Sequence, residues 1–136
     1  MIATMSPAAV AQKGFADFGR GDIRAVLDAC ADNISWGAWN NPVVPFSKTY
    51  QGKEGVAEFF QTLGSTISYS RFEPYAFFES GNRVFCKVVQ EATVKYTGKK
   101  FGHDALMEFV INEEGKISSF YAYVDSADQS RAFIMD

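Results

Sequence analysis

At 136 residues, 47% hydrophobic and 21% charged, the chain has the make-up of an ordinary globular domain with one sizeable core. A net charge of −3 with 13 Lys and Arg excludes the clustered basic face of a nucleic-acid binder. No apolar run reaches the roughly eighteen residues of a membrane-spanning helix, so neither a nucleic-acid nor a membrane partner is expected.

Aromatic residues make up 15% of the chain, with 13 Phe, 6 Tyr and 2 Trp, which points to bulky walls around a core or cavity. Near the N-terminus, Ala8-Ala9-Val10-Ala11 runs straight into Gln12-Lys13-Gly14, without the basic and apolar regions of a signal peptide. Cys30 and Cys86 are isolated and read as buried free thiols of a cytoplasmic protein. With one histidine and no Cys pair, a structural zinc site is excluded. Gly19-Arg20-Gly21 lacks the third glycine and the preceding strand of a dinucleotide turn, so no cofactor is expected. Residues 1–136 read as a single domain.

Ser6-Pro7 predicts an N-cap followed by proline at the first helical position, opening a helix that runs to about Phe18 and stops at Gly19. Asp22 caps a second, short helix through Cys30, ended by Asp32-Asn33. Ile34–Ala38 reads as a first strand, and Trp39–Tyr50, with Asn40-Asn41-Pro42 and Pro45, as a loop. Val56, Phe59, Phe60 and Leu63 share one face of a third helix, Lys53–Leu63, with Gly64 as its stop. Ile67–Glu79 reads as a strand, irregular at Pro74.

Three longer runs follow, Asn82–Tyr96, Lys100–Asn112 and Lys116–Asp125, joined by turns at Thr97-Gly98 and Glu113-Glu114-Gly115. Ser126–Phe133 makes a closing helical turn. At about 3.3 Å per residue the longest run would span roughly 45 Å, whereas a domain of this length has a radius of gyration of about 14 Å. The sheet must therefore curve, and the three N-terminal helices fill its concave face. The expected class is α+β: a cone-shaped α+β barrel with a strongly curved mixed or antiparallel sheet.

Gly21-Asp22-Ile23, Ala31-Asp32-Asn33-Ile34-Ser35-Trp36, Gly52-Lys53-Glu54-Gly55-Val56, Thr97-Gly98-Lys99, Gly115-Lys116-Ile117 and Tyr123-Val124-Asp125 occur in that order. In this the chain resembles the nuclear transport factor 2-like superfamily, and within it the SnoaL-like and ketosteroid-isomerase-like proteins, from about residue 8 to 131. These are turn, cap and core positions, so they speak for the fold. The group includes isomerases, cyclases, dehydratases, epoxide hydrolases and non-catalytic binding domains, and fold alone does not choose among them.

Alignment with the ketosteroid isomerases places their tyrosine, base and second acid at Gly14, Ala38 and Met107. Alignment with the limonene-type epoxide hydrolases places their Asp–Arg–Asp set at Gln90, Val88 and Ala122. Both catalytic sets are absent.

Alternation places Val84, Cys86, Val88, Gln90, Ala92 and Val94 on an inward face, and Phe101, His103, Ala105, Met107 and Phe109 of the next run face inward too. The expected cavity is apolar, with His103, Gln90 and Cys86 as its polar points, and suits a small hydrophobic molecule carrying one or two oxygens. His103 is the candidate catalytic acid or base, or else a core histidine bonded to Gln90 or a Tyr hydroxyl. Asp104, next in sequence, points to the other face. Trp36, Asn40, Phe59, Gln90, Met107 and Phe120 are the candidate ligand contacts, though aromatic residues at core spacing also serve as plain packing.

Three readings stay open: a cofactor-free isomerase or cyclase using His103 on a carbonyl-containing substrate, a non-catalytic small-molecule-binding protein, and an interaction domain. The outer sheet face mixes Phe85, Val89, Leu106, Val110, Tyr121 and Tyr123 with charged residues, which predicts a homodimer through that face.

Overall fold

Ser6 opens the first helix, α1 (Pro7–Gly19), by accepting from the Ala9 N–H at 3.1 Å, and Pro7 takes the position where a missing N–H costs nothing. Asp22 does the same for α2 (Ile23–Asp28) through the Ala25 N–H. The structure, a computed structural model, describes residues 5–135. After α2 come β1 (Cys30–Ala38), β2 (Thr49–Gln51), α3 (Gly52–Thr66), β3 (Ile67–Ser80), β4 (Arg83–Val94), β5 (Lys100–Ile111), β6 (Ile117–Tyr123) and α4 (Ser126–Phe133).

The strands form one mixed sheet in the order β2-β1-β6-β5-β4-β3. β3 to β6 pair antiparallel in succession, β1 lies parallel to β6, and β2 pairs antiparallel with β1. The sheet curls without closing, with β2 and β3 as its two edges. Register shifts bend it between Tyr69 and Arg71 and between Pro74 and Ala76 of β3, and again between Cys30 and Ser35 of β1. Pro74 is tolerated because it stands on an edge strand beside one of those shifts. Gly98 and Gly115 turn the two following hairpins at φ 74° and 78°, a region glycine enters without a Cβ penalty.

The expected alternation holds in β4, where Val84, Cys86, Val88, Gln90, Ala92 and Val94 are all buried. The helices fill the concave side with rings. Phe15 of α1 meets Phe72, Phe77 and Phe109 at centroid distances of 6.0, 6.0 and 5.4 Å, and Phe18 meets Phe60 and Phe72 at 5.7 and 5.2 Å. A second cluster lies under α4, where Phe133 packs on Phe46 and Phe101.

Four boundaries differ from the sequence reading. The second helix ends at Asp28 and β1 starts at Cys30, because the Ala29 carbonyl accepts from the Ile117 N–H and draws the chain into the sheet early. Thr49–Gln51 forms β2 where a loop was expected, zipped to Ser35, Trp36 and Gly37. Gly64 does not stop α3, since Ser65 and Thr66 hydroxyls donate to the Thr62 carbonyl and carry the helix to Thr66. The closing turn is a full helix, α4.

Candidate functional site

Between the helices and the concave sheet lies a cavity of about 80 Å³ with an entirely apolar lining. Phe15 and Phe18 of α1 and Phe59 and Phe60 of α3 form its helical walls. Trp36 of β1, Met107 of β5, and Phe120 and Ala122 of β6 form the sheet side. The parallel β1–β6 register sets Trp36 opposite Phe120, and their rings stack at 4.1 Å. Phe59 and Phe60 close on the same indole at 5.7 and 5.5 Å.

Trp36 is 5% exposed. Its indole Nε1 is the one buried side-chain nitrogen or oxygen, among the described residues, with no hydrogen-bond partner. An unpaired buried donor costs about 1–3 kcal/mol, so this group has something to gain from a ligand acceptor.

His103 sits elsewhere. Its Nδ1 lies 2.9 Å from Asp128 Oδ2 and its Nε2 lies 3.0 Å from the Gln90 amide nitrogen. The carboxylate accepts, so Nδ1 carries the hydrogen and Nε2 accepts from Gln90. Asp128 also takes the Gly102 N–H at 3.0 Å and the Arg131 guanidinium at 2.7 Å. Burial pushes the Asp128 carboxyl upward, but the hydrogen bonds from His103, Arg131 and Gly102 outweigh it and hold it below the ordinary range. Phe101 stacks on the imidazole at 5.7 Å. A broad groove of about 480 Å³ crosses β3, β4 and β5, with Ser70, Glu91, Lys100, Gly102, His103 and Asp104 among the residues that line it, while the His103 side chain itself is only 8% exposed.

The expected cavity therefore divides. Trp36, Phe59, Met107 and Phe120 come together around the cone cavity, whereas His103, Gln90 and Cys86 are absent from its lining. Gln90 is buried against His103, and Asn40 is exposed on the segment between β1 and β2. Tyr50, in β2, is 4% exposed and donates to the Phe46 carbonyl. Asp104 points to the other face, as alternation requires, and accepts from the Tyr75 hydroxyl at 2.9 Å.

Asp128 was missed in the sequence. Only its place on the helix could be read: Asp125 caps α4 by accepting the Asp128 N–H, which sets Asp128 in the first turn. Cys30 and Cys86 are buried free thiols, and burial raises them to about 11 and about 12. Among the described residues no group of three or more His, Cys, Asp or Glu could hold a metal, and no helix is long and apolar enough to cross a membrane.

An apolar cone under a curled sheet defines a class, and sequence comparison agrees with it. The chain belongs to the SnoaL-like domain family, whose model matches residues 11–120, and so to the nuclear transport factor 2-like superfamily. A nuclear transport factor 2-like protein of Burkholderia xenovorans is 25% identical, with 98% of this chain and 100% of that one covered at a TM-score of 0.86. TerC, co-crystallised with polyporic acid, is 20% identical over 94% of this chain and 98% of its own, at a TM-score of 0.82. A Mesorhizobium loti protein assigned to the SnoaL-like polyketide cyclases is 19% identical over 88% of this chain and 100% of its own, at 0.73. No curated protein matches the chain in sequence.

Proposed function

We propose that this protein binds a compact, largely apolar molecule carrying one hydrogen-bond acceptor, held in the cone cavity with its acceptor on the Trp36 indole N–H. The observation that carries this reading is the unpartnered Nε1 of Trp36, a residue whose ring lines an apolar cavity. TerC, of the same fold, was co-crystallised with polyporic acid, which supports small-molecule binding by this fold and no particular ligand class. At about 80 Å³ the cavity is well below the roughly 300–1,000 Å³ of drug-sized sites, so its ligand is no larger than one small ring unless the phenylalanines move.

The cavity lining supplies no carboxylate, imidazole or hydroxyl to move a proton, so the binding reading is preferred over proton-transfer catalysis there. A second reading is favoured by the Asp128–His103 pair: a carboxylate on Nδ1 fixes the tautomer that leaves Nε2 basic, the arrangement a general base needs. For that role Nε2 would have to release Gln90 toward a substrate lying in the groove across β3–β5.

Thermal melts with cyclopentanone and cyclopentane separate the two. Ligand at a hundred times its dissociation constant stabilises by about 2.7 kcal/mol, a shift of several degrees. The binding reading expects a larger shift with the ketone, lost in Trp36→Phe and kept in His103→Ala. Loss in His103→Ala with retention in Trp36→Phe would reverse the choice.

We further propose a homodimer through the outer sheet face. Leu106 and Tyr123, side by side in the β5–β6 register, are 36% and 49% exposed, and Tyr75 and Phe78 on β3 are 49% and 57% exposed. That is an apolar stripe which a second copy of the chain would cover.

A further inference from the structure

A cleft, separate from the cone cavity, lies where the segment after β1, the end of β6 and the start of α4 meet. It measures about 120 Å³ and shares only Ala122 with the cone cavity. Trp39 and Ser47 form one side, Val124 follows from β6, and Ser126 and Gln129 come from α4.

Gln129 is the residue that makes this space unusual. It is 4% exposed, and its carboxamide makes no hydrogen bond to another described residue, while its backbone N–H donates to the Asp125 carbonyl. The carboxamide nitrogen and oxygen are not cut off from water, since Trp36 Nε1 is the one fully buried side-chain polar atom without a partner among the described residues, so the amide keeps a donor and an acceptor open to the cleft it lines. The other buried polar side chain here is spent: the Ser47 hydroxyl donates to the Trp39 carbonyl. Trp39 is 59% exposed, a large ring left against solvent at the side of the cleft.

We propose that this cleft is a binding site for an uncharged, one-ring carboxamide or lactam, read by Gln129. A carboxamide presents an N–H donor and a carbonyl acceptor side by side, and its natural complement is another group with the same pair. No charged side chain lines the cleft, which disfavours a carboxylate or an ammonium. The size suits a single ring, since an engineered cavity of roughly 150 Å³ takes benzene. Trp39 covers the ring face while Gln129 holds the amide. This site stands whether or not the cone cavity takes a ligand.

The test is a titration of the full chain with benzamide, toluene and benzoate, followed by 1H–15N spectra. Benzamide is expected to shift the Gln129 side-chain NH2 pair, with toluene and benzoate leaving it in place. In Gln129→Leu the benzamide dissociation constant rises about tenfold, the loss expected for one or two neutral hydrogen bonds, while the melting temperature stays level or rises. An unshifted NH2 pair, equal response to toluene, unchanged affinity in Gln129→Leu, or a melting temperature several degrees lower in that variant would each overturn the proposal. The wild-type spectrum decides even if the variant does not fold, and the Trp36 indole resonance reports the cone cavity independently.

Discussion

Asp17 is a carboxylate that α1 keeps almost wholly buried, bonded to Lys13 Nζ at 2.7 Å and Arg20 at 2.6 Å. The Lys13 hydrogen bond, with further help from Arg20, holds its carboxyl below the ordinary range against the opposing effect of burial. A carboxyl lowered in the folded state stabilises fully above its unfolded value of about 3.9 and loses that contribution as pH falls through the lower folded value. Melts of Asp17→Asn between pH 7 and pH 2.5 should therefore run below wild type at neutral pH and converge with it in acid. Parallel curves would show that Asp17 does not titrate as described. The cysteines make a second residue-scale test: raised by burial, neither Cys30 nor Cys86 should react with maleimide at pH 7.5 unless the protein is denatured. His103 was legible as an inward position of a strand, because alternation alone fixes that. Its partner Asp128 was not, because the contact depends on how α4 docks after a turn, and no local pattern encodes docking.

At the scale of elements, caps and hairpins were readable because they are local: Ser6, Asp22 and Asp125 cap the helices they announce. β2 was hidden, since its three residues carry no period and exist only through pairing with β1. That pairing depends on Gly37, where an added Cβ would lie 2.4 Å from the Lys48 carbonyl oxygen and 2.7 Å from Thr49 Cα. Gly37→Ala must push β2 off the sheet and should cost about 2–3 kcal/mol in urea unfolding, the upper part of the overpacking range. α4 is tied down by hydrogen bonds from the turn after β4: Tyr96 donates to the Phe133 carbonyl and Thr97 to the Ala132 carbonyl, both at 2.6 Å. Thr97→Val leaves that carbonyl unpaired, with an expected loss of about 1 kcal/mol and faster amide exchange confined to α4. Uniformly faster exchange would mean that α4 does not open by itself.

For the molecule as a whole, the curved sheet followed from strand length against domain size, and the apolar cone from alternation and aromatic content. The division of the expected pocket did not follow, because whether His103 reaches the cavity or is held by Asp128 depends on sheet curl and on how α4 docks. The outer face gives a further test at this scale. Sedimentation at micromolar concentration should show a dimer, and Leu106→Glu combined with Phe78→Glu should yield monomers with an unchanged melt of each protomer. A monomeric wild type would remove the proposed interface. The claim on which the account most depends is that the Trp36 N–H, within an apolar cone, awaits a ligand acceptor. The most direct measurement is the Trp36 indole resonance in 1H–15N spectra of the Trp39→Phe protein, which leaves Trp36 as its one indole. Titration with cyclopentanone should move it downfield, with cyclopentane producing a smaller change. No movement with the ketone, or the same movement with both, would contradict the account.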